Sequence, residues 1–158
     1  MPDRSGTADD DAVLRFIERF GLDLADAGMP RMASRAFAAL LVTETGRLDA
    51  AELGTLLKVS PAAVSGAVRY LMQVGMVARE REPGRRRDHY RVADDLWYET
   101  VLNRDERLLR WTSTMRDGVE AVGPDTEAGR RLDETREFFE FLLDELPELM
   151  ARWRARRG

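Results

Sequence analysis

Between Lys58 and Pro61 the chain ends one helix and begins another, and this tight junction constrains the fold more than any other stretch. Upstream, Leu48-Asp49 leads into a short helix reaching about Leu57. Asp49 is a good N-cap, and Glu52, three residues on, completes a capping-box pattern. Downstream, Ser60 caps the next helix and Pro61 takes its first position, where a missing N–H is no loss. That helix turns Val64, Ala67, Val68 and Leu71 inward and closes at Gly75. Beyond Gly75 the period changes: residues 76–81 read as a strand, Pro83-Gly84 as a turn and residues 88–92 as a returning strand. The tip of this two-stranded hairpin is Pro83-Gly84-Arg85-Arg86-Arg87.

The rest of the chain is helical. Residues 1–11 read as a disordered acidic tail. Val13, Phe16, Ile17, Phe20 and Leu24 mark an amphipathic helix ending near Gly28. Pro30 opens a second helix carrying Met32, Ala33, Ala36, Phe37, Leu40 and Leu41, which stops at Gly46. After the hairpin, Leu96, Trp97, Val101, Leu108, Trp111, Met115 and Val119 line a long helix broken at Gly123-Pro124. In the last helix Leu132, Thr135, Phe139, Leu142, Leu146, Leu149 and Trp153 form a heptad-like seam, which Pro147 should kink or restart. A seam of that size favours a homodimer. The expected organisation is a tail (1–11), supporting N-terminal helices (12–46), a helix-turn-helix with a two-stranded β wing (47–94) and a helical dimerisation region (95–158), mainly α throughout.

Composition narrows the chemistry. The 158 residues contain no cysteine, which excludes a disulfide scaffold and a thiol redox sensor, and one histidine, His89, which excludes a multi-histidine metal site within one chain. No cofactor and no metal site are expected. No apolar run is long enough to span a bilayer and the acidic N-terminus lacks a signal-peptide pattern, so a cytoplasmic protein is expected. The net charge is −4, yet Lys58, Arg69, Arg79, Arg81, Arg85, Arg86, Arg87 and Arg91 face only Glu80, Glu82 and Asp88 within residues 58–91. A basic island in an acidic chain is a candidate phosphate-binding face; its bland reading is a solvated arginine-rich surface.

Helix, turn, helix and basic hairpin, in that order, suit duplex DNA. A helix enters the major groove when its leading side chains are small or hydrogen-bonding. Here they are Ser60, Ala62, Ala63, Ser65 and Gly66, with Arg69 and Tyr70 a turn later. Ser65 suits a base or a phosphate, and Arg69 a guanine or a phosphate. Arg85, Arg86 and Arg87 suit a narrow minor groove, whose negative potential attracts arginine. Trp97, Tyr98, Trp111 and Met115 are candidates for an effector pocket, with ordinary core as the competing reading. Arg31 and Arg35 fit an anion, an internal ion pair or DNA equally. Ser60 and His89 do not make an enzyme: the first is a helix cap, the second lies in a wing strand, and no nucleophile-elbow or phosphate-loop pattern accompanies them. The alternatives to a regulator are a winged-helix protein-interaction adaptor and a sequence-independent architectural DNA binder.

Residues 28–31, 48–53, 59–65, 68–71, 75–77, 83–87 and 90, continuing to Asp95-Leu96-Trp97, together resemble the MarR superfamily of bacterial transcriptional regulators, most closely its GbsR-like branch. The resemblance covers roughly residues 12–100. It implies a homodimer with a winged helix-turn-helix in each subunit and dimerisation through helices from both chain ends. It implies a repressor of an inverted-repeat operator, released by a small-molecule effector. By position, Ser60 to Tyr70 would be the recognition helix and Arg85 to Arg87 the wing tip, with Arg86 in the minor groove.

Overall fold

Helix formation follows the apolar spacing, and the ends fall at the local stop signals. The computed structural model describes residues 4–94 and 104–158, which fall into two compact units divided between Leu96 and Trp97. In the first unit, α1 (Arg4–Asp26) starts well ahead of Val13, so residues 4–11, expected as a tail, continue the helix. Each residue added to an existing helix brings a hydrogen bond without a new nucleation cost, so an amphipathic core helix extends outward. It closes at Gly28, with φ of 102°, through Gly28 N–H to Ala25 and Met29 N–H to Leu24, a Schellman arrangement.

α2 (Arg31–Val42) is the central element: Ala33, Ser34, Ala36, Phe37, Ala38, Ala39 and Leu40 are all buried. Its alanines allow close approach on several sides. Ile17 of α1 is fully buried in the same core, with Val13, Leu14, Phe20 and Leu24 packed around it. The buried Ser34 hydroxyl donates to the Pro30 carbonyl at 3.0 Å, so this hydroxyl is not left stranded. Arg35 proves internal: it pairs with Glu18 at 2.6 Å and donates to the Leu57 carbonyl at 3.2 Å, tying α1, α2 and α3 (Ala50–Leu57).

α4 (Pro61–Gln73) follows, then β2 (Val77–Arg81) and β3 (Asp88–Val92). The sheet has three antiparallel strands in the order β1-β3-β2, where β1 (Arg47–Asp49) is a strand that the sequence pattern did not reveal. Three residues are too few to display an alternating period. β1 sets Arg47, Leu48 and Asp49 opposite Arg91, Tyr90 and His89.

In the second unit, α5 (Arg104–Val122) and α6 (Glu127–Arg157) form an antiparallel pair. Leu96, Trp97, Tyr98 and Val101 lie outside the described residues. The turn is built on Gly123, at φ of 92°, and on Thr126, whose hydroxyl accepts from Gly129 N–H at 2.9 Å. Gly129 is required there, since a Cβ would collide with the Gly123 carbonyl oxygen. α6 continues through Pro147 without restarting; neighbouring bonds along this long helix carry it past one missing donor. The heptad-like seam also differs from expectation. Leu132 packs against Gly118, the Trp111 and Phe139 rings stand 5.6 Å apart, and Leu142 and Leu146 face α5, so most of the seam is used within the chain. Left exposed are Phe138, Phe141, Leu149 and Trp153 of α6 and Leu109 and Trp111 of α5. Among the described residues no helix is long and apolar enough to cross a membrane.

Candidate nucleic-acid interface

The junction between α3 and α4 is fixed by local chemistry. Asp49 Oδ1 accepts from Glu52 N–H at 2.8 Å, and Glu52 Oε2 accepts from Asp49 N–H at 2.7 Å, closing the capping box read from the sequence. Lys58 ends α3 in the left-handed conformation, φ 55°, and Val59 N–H returns to the Gly54 carbonyl at 3.0 Å. A Cβ on Gly54 would stand in ordinary contact with the Val59 carbonyl oxygen, at 3.4 Å, so the return packs closely against α3. Ser60 Oγ then accepts from Ala63 N–H at 3.2 Å, and α4 departs with Pro61 at its start.

The two faces of α4 divide cleanly. Val64, Ala67, Val68 and Leu71 are buried against the core shared with α2 and α3. Ala62, Ser65, Gly66 and Arg69, at spacings of three and four, are all exposed, as is Ser60; Ala63 and Tyr70 are half-buried. A Cβ built on Gly66 meets nothing within 4 Å, so no internal contact requires glycine there. Arg69 has no ion-pair partner among the described residues. The face is thus small, uncharged except for Arg69, and free for an external surface.

The wing is more self-paired than its composition suggests. Asp88 binds Arg81 at 3.1 Å and Arg79 at 3.7 Å; Glu80 binds Arg91 at 3.2 Å and Arg47 at 3.6 Å; Glu82 binds Arg47 at 3.1 Å. Cross-strand register decides these pairs, which composition alone did not reveal. At the tip, Arg85 pairs with Glu82 at 3.0 Å and Arg87 approaches Asp49 at 3.8 Å. Arg86, exposed between them, has no acidic partner among the described residues. The basic island therefore narrows to Lys58, Arg69 and the tip, with Arg86 unengaged among the described residues and its neighbours held by pairs worth about 0–1 kcal/mol each.

The four expected pocket residues do not form one described site. Trp97 and Tyr98 lie outside the described residues. Trp111 lines a groove of about 460 Å³ with Arg107, Leu108, Phe138, Phe139, Leu142 and Leu146, whereas Met115 is half-buried elsewhere on α5.

Comparison with known proteins gives consistent matches for both halves. Residues 27–88 match a model of the MarR family, and residues 95–156 match one described as an MmpR5-like MarR family transcriptional regulator. The HTH-type transcriptional regulator MmpR5 of Mycobacterium tuberculosis (strain ATCC 25618 / H37Rv) is 26% identical over 147 residues, spanning 92% of this chain and 89% of that protein. A crystal structure described as that of a transcriptional regulator is 24% identical, covers 91% of this chain and 99% of its own, and has a TM-score of 0.79, which marks a shared fold.

Proposed function

Because the chain belongs to the MarR family of transcriptional regulators, DNA-binding proteins and not enzymes, we propose that it represses transcription by binding an inverted-repeat operator as a homodimer. In this reading α4 lies in the major groove with Ser65 and Arg69 at base edges, and the wing places Arg86 in the minor groove with Arg85 and Arg87 on phosphates. The observation that carries it is the exposed, small-residue face of α4, together with a wing tip whose central arginine has no partner among the described residues. Within the family, the winged region resembles the GbsR-like branch, while residues 95–156, which carry α5 and nearly all of α6, match an MmpR5-like model.

The dimer is supported by the apolar face left on α6. At about 100° per residue, Phe138, Phe141, Leu149 and Trp153 fall within roughly 120° of arc, and their exposures of 49–57% leave four large apolar side chains on one face, with Glu145 among them. A two-fold partner would cover it symmetrically. An apolar effector in the Trp111 groove is a second reading, favoured by its aromatic lining. The protein would act in the cytoplasm. Selection of bound sequences from random duplexes, with light scattering on the complex, tests the proposal. An inverted repeat with half-sites about one helical turn apart, bound by two chains, is expected; equal affinity for random DNA or a monomeric complex would overturn it.

A further inference from the structure

At the root of the wing, β1 and β3 set Asp49 directly opposite His89, and the capping box brings Glu52 to the same place. One donor atom from each residue lies within 4.8 Å of the others. The cap uses one oxygen of each carboxylate, Asp49 Oδ1 and Glu52 Oε2, and leaves the second free. Asp49 is only 8% exposed, and the contact recorded for its Oδ2 is Arg87 Nη1 at 3.8 Å, too long for a hydrogen bond. His89 Nδ1 is shut off from solvent and has no hydrogen-bond partner among the described residues. A stranded imidazole nitrogen beside two carboxylates is unusual, because buried polar atoms are nearly always paired.

We propose that Asp49, Glu52 and His89 bind a divalent transition-metal ion, of the zinc type, at the wing root, with water completing the shell. Donor atoms around such an ion, bonded at about 2.0–2.2 Å, stand roughly 3.3–3.5 Å apart. Small side-chain rotations would therefore close the present spacing. One imidazole nitrogen with two carboxylates suits zinc or its neighbours, whereas magnesium and calcium prefer all-oxygen shells. The positive end of α3 and the nearby arginines oppose a cation, so the ion must displace Arg87 from Asp49. This exchange gives the site a consequence. A released Arg87 is free for a phosphate, and DNA that draws Arg87 away uncovers the site, so metal and DNA strengthen each other's binding by the same factor. The site stands on its own geometry; the coupling alone rests on the DNA-binding reading.

Calorimetric titration of the full-length protein with zinc chloride tests the site, with magnesium as competitor. One ion per chain is expected, undisturbed by magnesium. His89→Gln should abolish binding. So should Glu52→Gln, whose amide oxygen can still cap α3, and circular dichroism should show both variants folded. Absence of stoichiometric binding, or unchanged binding in both folded variants, would overturn the site. Fluorescence anisotropy of operator DNA with zinc or with EDTA tests the coupling. The zinc-bound protein should bind up to about fivefold tighter for each subunit engaged, the most that a weak pair such as Arg87 with Asp49 can withhold. Equal affinity in zinc and EDTA, in protein that binds zinc, would overturn the coupling and leave the site standing.

Discussion

Replacing the wing arginines one at a time separates the residue that enters DNA from those that steady it. Arg86→Ala removes a cation with no partner among the described residues, so the variant loses whatever Arg86 contributes to DNA and recovers nothing from a broken pair. Arg85→Ala and Arg87→Ala also dissolve contacts with Glu82 at 3.0 Å and Asp49 at 3.8 Å. Wild-type protein must release those contacts to bind phosphate, which offsets about 0–1 kcal/mol of the gain. Arg86→Ala should therefore weaken operator binding by about 1–2 kcal/mol, roughly five- to thirtyfold, and each neighbour by less. Each lost phosphate contact lowers the slope of log affinity against log salt by about 0.9, so the triple variant, which loses the Arg85 and Arg87 contacts in both subunits, should lose up to about 4. Folding should hold: the three side chains are exposed, and such substitutions usually stay within about 0.5 kcal/mol. Anisotropy titrations at several salt concentrations, beside thermal melts, measure all of this. An Arg86→Ala protein that is folded and keeps wild-type affinity and slope would refute the assignment and favour an adaptor that binds protein through its winged helix.

Other substitutions probe different levels of the structure. Arg69→Ala should cost about 1–3 kcal/mol on the operator and less on random duplex if Arg69 reads a base, as competition titrations would show. Gly66→Ala should stabilise the fold by about 0.4–1 kcal/mol in denaturant melts, because α4 is open there; Gly66→Leu should leave stability intact and still weaken DNA binding by blocking the groove. Gly129→Ala should destabilise the α5–α6 pair by about 1–3 kcal/mol, since the Gly123 backbone must move, and should lower the unfolding midpoint.

What could be read in the sequence was whatever is decided within a few residues. Ser60-Pro61, Asp49 with Glu52, Gly28 and Gly75 each fix a helix end through bonds to near neighbours, and each stands where the pattern placed it. The α4 face divided as expected because a helix has one period and Val64, Ala67, Val68 and Leu71 follow it. Features decided by distant partners were not legible. β1 is three residues long and exists only because β3 offers its edge. The heptad-like spacing of α6 says that one face is covered but not by which helix, and α5 takes Leu132, Phe139, Leu142 and Leu146. The arginine count overstated the free charge of the wing, because Asp88, Glu80 and Glu82 meet arginines across the sheet.

Asp49 shows how the two kinds of information combine in one side chain. As an N-cap it is local, and its loss should cost about 0.5–2 kcal/mol of stability whatever else it touches. As the cross-strand neighbour of His89 and the contact of Arg87 it is non-local, and those roles exist only in the folded sheet. Asp49→Ala would remove all three at once, and weaker DNA binding could then be assigned to none. Asp49→Asn keeps an acceptor for Glu52 N–H, since asparagine caps as well as aspartate, while removing the charge that holds Arg87. A stable Asp49→Asn protein with a shifted salt dependence would therefore report on the wing, and an unstable one on the cap. The wing tip is positioned in part by the residue that starts α3, so the basic wing and the helix-turn-helix are coupled through a single carboxylate.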